Sequence, residues 1–380
     1  MDEKEKRFMK KSTKRLFAAV LAAASLLALT ACGGGKTEAP KTDDSKTEQP
    51  AETSGSKELS VYTAFPESEV IYYFNKFEQE TGIKINYVRL SAGEMLTRVE
   101  AEKDNPQATL MFGGSTDNYI AAVDKGLLEA YQSPNLDKAP STYLDPTGTW
   151  NPIYVGCIAF ACNADWFAEK GLEYPTSWED LLKPEFKGEI IMAHPATSGT
   201  AYTVLATLIQ LKGEDAVWDY LKELDKNMSQ YTKSGSGPSK MVGPGECVIA
   251  IGFLHDGIYQ ILQGYDNIQL IVPEDGTSFE VGATAILKGA SHPNAAKLWI
   301  EYALSPDCVD HAKENGSYQF LVLKNATQPE EAEKFGLDMT NTIDYDFEDA
   351  KENSAKYVED FFEALGSTSD GADSSRFLTE

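Results

Sequence analysis

Small hydroxyl residues and glycines form two short turns whose chemistry suits an anion. They are Ser198-Gly199-Thr200 and Ser234-Gly235-Ser236. Each turn stands where a helix is predicted to begin, so its backbone N–H groups lack helical partners and the helix dipole is positive there. Such a turn can hold a phosphate or a carboxylate. An ordinary helix cap accounts for the same residues without a ligand, because Ser and Thr are favoured at helix starts in any case.

The same chemistry recurs in the N-terminal third of the chain. Thr63, Ser91 and the pair Ser115-Thr116 each follow a predicted strand and precede a predicted helix. Taken one at a time, Ser91 and Ser115 are explained as plain caps. Their number and their common position after strands favour a shared anion site.

The elements that must position these turns alternate between strand and helix. Apolar runs at 58–64, 84–90 and 109–112 predict strands, and the periodic segments between and after them predict helices. This order predicts an α/β fold with a mostly parallel sheet covered on both faces. Ligands of such sheets gather at the carboxyl ends of the strands, where all of these hydroxyls are expected.

Composition limits the classes of partner. The 380 residues are 42% hydrophobic, which is enough for two cores of ordinary size. The net charge of −25 argues against a nucleic acid or an anionic membrane face as partner. It does not exclude a small anionic ligand, because bulk charge is screened beyond about 10 Å while N–H dipoles act locally.

The N-terminus has the pattern of a bacterial lipoprotein leader. Basic residues at 10, 11, 14 and 15 precede an apolar run at 16–29, which leads into Leu29-Thr30-Ala31-Cys32. This matches a lipobox, so we predict a signal peptide at 1–31, a lipid on Cys32 and a disordered tether at 32–57. The run is too short for a permanent membrane span. A plain secretory signal that happens to contain a cysteine is the alternative, and the start codon, Met1 or Met9, stays open.

Four further cysteines follow the leader. Cys157 and Cys162 fall on one predicted strand and face opposite sides, so they cannot bridge each other. No Cys-x-x-Cys or Cys/His cluster indicates a metal site. We read these two, with Cys247 and Cys308, as buried free thiols, although a pairing that involves Cys247 or Cys308 stays open.

From residue 59 to about residue 325 the chain resembles the type II solute-binding proteins of bacterial ABC importers. It looks like the branch that groups ferric-iron, hexose-phosphate, aminoethylphosphonate and thiamine binders. The stretches that carry the resemblance are Phe77-Glu-Gln-Glu-Thr-Gly-Ile-Lys, Arg89-Leu-Ser-Ala-Gly-Glu, Phe112-Gly-Gly-Ser-Thr-Asp, Pro175-Thr-Ser-Trp-Glu-Asp-Leu-Leu, Phe186-Lys-Gly-Glu-Ile, Ser198-Gly-Thr-Ala-Tyr, Gln230-Tyr-Thr-Lys-Ser-Gly-Ser and Phe253-Leu-His-Asp.

The resemblance implies a two-lobed fold in which each lobe is a mostly parallel sheet flanked by helices, and crossing hinge strands join the lobes. The expected bounds are 58–155 for the first lobe, 156–281 for the second, 282–365 for the return to the first, and 366–380 for a loose tail. The resemblance also implies a monomer without a cofactor or metal. Such a protein clamps a small ligand between its lobes and delivers it to a membrane permease that a cytoplasmic ATPase drives.

Within that branch, the residues that follow the strand predicted at 248–254 indicate the ligand class. Iron binders carry consecutive tyrosines there, because a ferric ion prefers phenolate and carboxylate oxygens; this chain has His255-Asp256. With Glu280 some two dozen residues on, the pattern is similar to the sugar-hydroxyl site of the hexose-phosphate binders. We therefore expect a phosphorylated or phosphonylated solute, with a hexose phosphate favoured. Iron or thiamine binding is the alternative ligand class. If no ligand binds here, His255-Asp256 would only cap the helix that follows the strand, and Glu280 would occupy a solvated strand position.

A hydrolytic enzyme is the distant alternative. The histidines, with the free cysteines, could supply a base and a nucleophile. On an extended strand the adjacent His255 and Asp256 point apart, so they cannot form an orienting dyad without a turn. No Gly-x-Ser-x-Gly elbow, Walker loop or metal signature occurs in the sequence, and we expect no catalytic residue.

Overall fold

Strands of the first lobe form where β-branched and aromatic residues alternate between two faces. In the first strand Leu59 and Val61 pack into one hydrophobic cluster, whereas Tyr62 packs into another on the opposite face of the sheet. Both faces are therefore buried under helices, as expected for a parallel sheet. The computed structural model describes residues 57–305, 308, 318–323, 330–334 and 342–365. The predicted signal peptide, the lipid-bearing Cys32, the tether and the 366–380 tail lie outside these residues.

Strands and helices alternate along the described chain. The strands are β1 (Glu58–Thr63), β2 (Lys84–Arg89), β3 (Leu110–Ser115), β4 (Leu128–Glu129), β5 (Trp150–Asn163), β6 (Ile190–Ala193), β7 (Met228–Thr232), β8 (Ile249–Phe253), β9 (Ile268–Ile271), β10 (Phe279–Leu287) and β11 (Phe320–Leu321). The helices are α1 (Glu67–Thr81), α2 (Ala92–Ala101), α3 (Thr116–Asp124), α4 (Ala164–Lys170), α5 (Gly199–Lys212), α6 (Glu214–Asp225), α7 (Gly237–Val242), α8 (Leu254–Leu262), α9 (Pro293–Ala303), α10 (Glu330–Lys334), α11 (Phe347–Glu352) and α12 (Ser354–Leu365).

The strand order is β2-β1-β3-β10-β5-β8-β6-β7, with β4 beside β10, and β9 and β11 beside β5. β1 pairs in parallel with β2 and β3, and β6 pairs in parallel with β7 and β8. β10 and β5 run antiparallel to their neighbours. The predicted α/β, two-lobed fold is confirmed, but the described strands form a mixed sheet, with four parallel and six antiparallel pairings.

β5 is the strand that joins the two lobes. Its 14 residues are all buried. The first half, from Trp150 to Cys157, pairs with β10 in the first lobe. The second half, from Ile158 to Asn163, pairs with β8 and β9 in the second lobe. One continuous strand therefore carries residues that face the space between the lobes.

The C-terminal helix α12 packs on the second lobe, which differs from the expected return of 282–365 to the first. Tyr357 and Phe361 of α12 lie in the hydrophobic cluster of the second lobe, and the Phe361 ring is 5.4 Å from that of His194. The preceding helix α11 contacts both lobes, because Ala350 lies in the same cluster while Lys351 Nζ is 3.3 Å from Asp124 Oδ2 of α3.

Four of the cysteines, Cys157, Cys162, Cys247 and Cys308, are free and buried, as predicted. Trp299 is fully buried in the first lobe against Phe74, Phe77 and Phe112. Among the described helices none is long and apolar enough to cross a membrane.

Candidate functional site

A cleft between the two lobes collects most of the predicted site residues. It encloses about 520 Å³ of empty space, its mouth included. Ten of the twelve predicted ligand-binding residues line it: Ser91, Ser115, Ser198, Gly199, Thr200, Ser234, Ser236, His255, Asp256 and Glu280. The cleft lies beyond the carboxyl ends of β2, β3, β6, β7 and β8, where an α/β sheet is expected to bind a ligand.

Three helices begin at one end of this cleft. Ser91 precedes α2, Ser115 precedes α3, and Ser198 precedes α5. The first turn of each helix leaves backbone N–H groups unpaired, and the three positive dipole ends act on the same volume. A phosphate group fits such a place because its oxygens accept several N–H and O–H bonds at once.

The cap and ligand interpretations of these serines are not exclusive. Ser198 Oγ accepts a bond from the N–H of Ala201 at 3.3 Å, so it caps α5. Ser91 Oγ donates to Glu94 Oε2 at 2.9 Å, and the N–H of Ser91 donates to the same oxygen at 3.2 Å. Ser198 caps through its acceptor and still has its proton to donate to an anion, whereas Ser91 already donates its proton to Glu94.

Two turns of the second lobe approach each other closely at this end. A Cβ atom added at Gly235 would lie 2.1 Å from Thr200 Oγ1 and 2.9 Å from Ser198 Oγ. Glycine is therefore required at position 235 for the two hydroxyl turns to meet. Their hydroxyls form one surface that faces the helix starts of the first lobe.

Arg89 supplies a positive charge that sequence reasoning missed. It is the last residue of β2, it lines the cleft, and its Nη2 donates to Ser234 Oγ at 2.7 Å. The hydroxyl turns alone, which can hold an anion through O–H and N–H groups, do not predict this charge. The signal was present in the sequence, because Arg89 ends a strand two residues before Ser91.

Carboxylates line the end of the cleft formed by β10, α8 and α1. Glu280 lies on β10 and accepts a bond from the hydroxyl of Tyr154, on β5, at 2.9 Å. Asp256 stands in the first turn of α8, and Glu69 of α1 also lines the cleft. Sequence reasoning missed Tyr154 and Glu69, because their position depends on long-range packing rather than on a local motif.

The ring of His255 is fixed by its neighbours. It stacks on Phe253 with centroids 5.2 Å apart and an interplanar angle of 17°. A Cβ atom added at Gly156 would lie 2.7 Å from Cε1 and 3.0 Å from Nδ1, so this edge of the ring packs closely against β5. His255 Nδ1 is buried there without a hydrogen-bond partner among the described residues.

Burial changes the protonation state of the carboxyl and imidazole groups at this end of the cleft. It raises the pKa of Asp256 to about 7 and that of Glu280 to about 8, and the bond from Tyr154 opposes the rise for Glu280. Burial lowers the pKa of His255 to about 3, so the ring is neutral. Near neutrality the end therefore holds carboxyl groups that can accept from, or donate to, a hydroxyl.

Two predicted residues do not line the cleft. Thr63 is fully buried, and its Oγ1 accepts the N–H of Phe65 at 3.3 Å, so it shapes the turn after β1. Thr116 is the first residue of α3 and is 2% exposed. Both follow strands as predicted, but their side chains turn into the protein. The described residues contain no group of three or more His, Cys, Asp or Glu placed to hold a metal ion.

Comparison with known proteins gives a consistent result. The sequence profile of a family described as "bacterial extracellular solute-binding protein" matches residues 115–347. A Haemophilus influenzae protein of uncharacterised function is 39% identical over 277 residues, covering 72% of this chain and 80% of the relative.

Two further similarities involve proteins with a stated ligand. The periplasmic binding protein AfuA of Actinobacillus pleuropneumoniae, whose structure contains exogenous fructose-6-phosphate, is 38% identical with a TM-score of 0.78, covering 82% of this chain and 99% of that one. A Salmonella typhi periplasmic protein, provisionally named for 2-aminoethylphosphonate binding, is 28% identical over 249 residues, covering 63% of this chain and 70% of the relative.

Proposed function

This chain belongs to the bacterial extracellular solute-binding protein family, and from that premise we propose that it captures a hexose phosphate for an ABC importer. The observation that carries the proposal is the chemical difference between the two ends of the cleft. One end offers helix starts, hydroxyls and Arg89; the other offers the carboxyls of Asp256 and Glu280. A phosphorylated polyol matches both ends, because an anionic group and several hydroxyls stand at opposite sides of one small molecule.

The carboxylate end favours hydroxyls as its partners. Asp256 and Glu280 have pKa values raised to about 7 and about 8, so each can present a protonated oxygen as well as an acceptor. Sugar hydroxyls both donate and accept, so they can pair with all of these groups. The raised pKa values also reduce repulsion between this end and the phosphate.

A phosphonate with an amine is the second candidate. An ammonium group would pair with Asp256 and Glu280 by charge, and the Salmonella typhi relative supports this ligand. It would require both carboxyls to be ionised, so its affinity should rise steeply as the pH goes from 6 to 8.5. Binding of a hexose phosphate should change less over this range, because a neutral carboxyl still bonds to a hydroxyl.

Ferric iron and thiamine compounds are the alternative ligands for a protein of this fold. Tyr154 is the one tyrosine among the described residues that line the cleft, and its hydroxyl is already bonded to Glu280. The paired phenolates expected for ferric iron are therefore missing from this lining.

We propose a binding role rather than catalysis. A base with a pKa near 3, such as His255, removes protons poorly at neutral pH. The buried thiols Cys157 and Cys247 lie away from the cleft lining, and burial raises the pKa of both thiols, so they stay protonated. A bound solute should be recovered unchanged after denaturation.

The deciding experiment is calorimetric titration with glucose 6-phosphate, fructose 6-phosphate, 2-aminoethylphosphonate, thiamine phosphate and ferric citrate. We expect a hexose phosphate to bind most tightly. Asp256→Ala should weaken it by about thirtyfold, since the lost hydrogen bonds to sugar hydroxyls contribute about 2 kcal/mol, and should leave inorganic phosphate binding nearly unchanged. The assignment is wrong if ferric citrate alone binds, or if Asp256→Ala binds the preferred hexose phosphate as tightly as the wild type.

The setting that we propose is extracytoplasmic. A lipid on Cys32 would attach the protein to the membrane, the tether at 32–57 would separate the lobes from it, and an ABC permease would receive the ligand. The proposed protein acts as a monomer and carries no cofactor. The boundaries of the lobes at 155/156 and 281/282, which fall near β5 and β10, stay predictions.

A further inference from the structure

A second cavity lies between the lobes, beyond a tight contact that separates it from the ligand cleft. It has about 710 Å³ of empty space, its solvent-facing part included. A Cβ atom added at Gly199 would lie 2.7 Å from Ser115 Oγ and 3.0 Å from Ala92 Cβ. Ser198 and Gly199 line both spaces, so this contact lies between the ligand cleft and the second cavity.

The walls of this cavity come from both lobes. α2 and α3 of the first lobe face the turn before α5, α5 itself and the C-terminal helix α12. A cavity built in this way exists only while the lobes are together. Anything that occupies it favours the closed arrangement, because a ligand stabilises the conformation to which it binds.

Asp117 is the one charged residue among the described residues that line the cavity. It stands in the first turn of α3, it is 6% exposed, and its Oδ1 has no hydrogen-bond partner. A buried, unpaired carboxyl oxygen is costly unless a partner satisfies it. Burial raises the pKa of Asp117 to about 7, which shows the same lack of a partner. The proposed function does not use this residue.

The other residues of the cavity wall indicate which kind of ligand fits. Asn118 Nδ2 already donates to Ser115 Oγ at 3.1 Å, which leaves the Asn118 amide oxygen as an acceptor, and Ser354 offers a hydroxyl. Leu96 and Val358 supply apolar surface. A single carboxylate provides too few oxygens for a divalent cation, which takes six or more ligands. An ammonium group with a short alkyl chain suits one carboxylate, neutral acceptors and an apolar wall.

We propose that this cavity binds a small primary alkylammonium ion, with its ammonium group on Asp117 and its alkyl chain against Leu96 and Val358. Because the walls belong to both lobes, the amine and the solute in the cleft stabilise the same closed state. Each should therefore raise the affinity for the other.

The test is calorimetric titration with n-butylammonium chloride, with 1-butanol as the neutral match and KCl at equal ionic strength. We expect saturable binding of butylammonium and none of 1-butanol or KCl. Asp117→Asn, which keeps the shape and removes the charge, should weaken butylammonium at least tenfold. Asp124→Asn is the matched control, because Asp124 lies two turns further along α3, outside the cavity and 3.3 Å from Lys351 Nζ; it should stay within twofold of the wild type.

The proposal fails if the wild type does not bind butylammonium, if 1-butanol binds equally well, or if Asp117→Asn binds like the wild type. The comparison of butylammonium with 1-butanol on the wild type decides the role of charge even if the variant does not fold. Titration without any sugar phosphate keeps this result independent of the proposed function. Saturating glucose 6-phosphate should then increase the butylammonium affinity severalfold, and a decrease would contradict the shared closed state.

Discussion

Arg89 and Ser234 are bonded to each other across the two lobes, with Arg89 Nη2 donating to Ser234 Oγ at 2.7 Å. Arg89 ends β2 of the first lobe, and Ser234 follows β7 of the second. The guanidinium is thereby fixed at the end of the cleft where the helices begin. Its remaining N–H groups are oriented before a ligand arrives, and the bond itself requires the closed arrangement.

Removing the guanidinium should affect the anionic end of the ligand. We expect Arg89→Ala to weaken glucose 6-phosphate by about tenfold to a hundredfold, since a hydrogen bond to a charged group contributes about 1.5–3 kcal/mol. Calorimetry measures this, with inorganic phosphate as a second ligand that should lose a similar factor. Arg98→Ala is the control, because Arg98 is paired with Glu102 at 3.0 Å and does not line the cleft. Equal affinity in Arg89→Ala and the wild type would remove Arg89 from the phosphate site.

A second contact between the lobes should stabilise the closed arrangement without contacting the ligand. Lys233 Nζ of the second lobe lies 2.6 Å from Glu94 Oε1 of the first, and Glu94 also bonds to Ser91. The pair is partly exposed, so its contribution is at most about 1 kcal/mol. We expect Lys233→Met to lower solute affinity up to about fivefold, through faster dissociation.

The readouts for Lys233→Met are stopped-flow dissociation and small-angle scattering. The unliganded variant should have a larger radius of gyration than the wild type, and saturating ligand should reduce that difference. Lys222→Met is the matched control, since Lys222 pairs with Asp219 on the same helix of one lobe. If both lysine variants behave alike, the Lys233–Glu94 pair has no role in closure.

Stability should fall as the pH rises from 6.5 to 8. The pKa values of Asp117 and Asp256 are raised to about 7 and that of Glu280 to about 8, so the folded protein holds protons that the unfolded chain has released. Each such proton makes the free energy of unfolding decrease by at most about 1.4 kcal/mol per pH unit. The lowered pKa values of His194 and His255 act below this window.

Thermal unfolding of the unliganded protein at pH 6.5, 7, 7.5 and 8 measures this slope. Asp256→Asn and Glu280→Gln should each flatten it, because the amide does not titrate. The control is Asp219→Asn, an exposed carboxylate on α6. A wild-type melting temperature that is constant or rises over this window would contradict the buried-carboxyl account.

The predicted lipid anchor depends on Cys32 alone. We expect Cys32→Ala to leave the precursor unprocessed or to release the protein from membranes, because the predicted lipid is attached through that thiol. Membrane fractionation and intact mass measure both outcomes. Cys247→Ala, which changes a buried thiol of the folded part, should remain membrane-bound. Unchanged mass and fractionation in Cys32→Ala would disprove the lipoprotein assignment.

Sequence periodicity predicted the order of elements, whereas the roles of His255, Asp256 and Glu280 were expected from the resemblance. Ser91 and Ser115 follow β2 and β3, which both pair in parallel with β1, so they meet at one edge of the first lobe's sheet whatever the details of packing. Ser198 follows β6 of the second lobe, and the order of elements alone does not bring it to them. What the pattern could not give is side-chain direction. Thr63 stands in the same kind of turn, but its hydroxyl bonds to the N–H of Phe65 and leaves the cleft.

Long-range packing accounts for the other differences. Tyr154 reaches Glu280 because β5 and β10 are paired with Glu280 opposite Gly156, a register that no local motif encodes. The helix at 354–365 shows a clear apolar face, yet Tyr357 and Phe361 alone do not reveal that the second lobe receives it. That the cleft residues bind a solute stays a prediction until a ligand is titrated.

Part of the cleft lining stands on strands rather than on turns, and this has a consequence for descent. The serines of the lining sit on separate turns from both lobes, whereas Glu280 and Tyr154 sit on the paired strands β10 and β5. A lineage of such binding proteins can therefore exchange one or two strand side chains, and so accept a different organic group, while the hydroxyl turns are inherited unchanged. Selection can then diversify nutrients within one ancestral scaffold without rebuilding these turns.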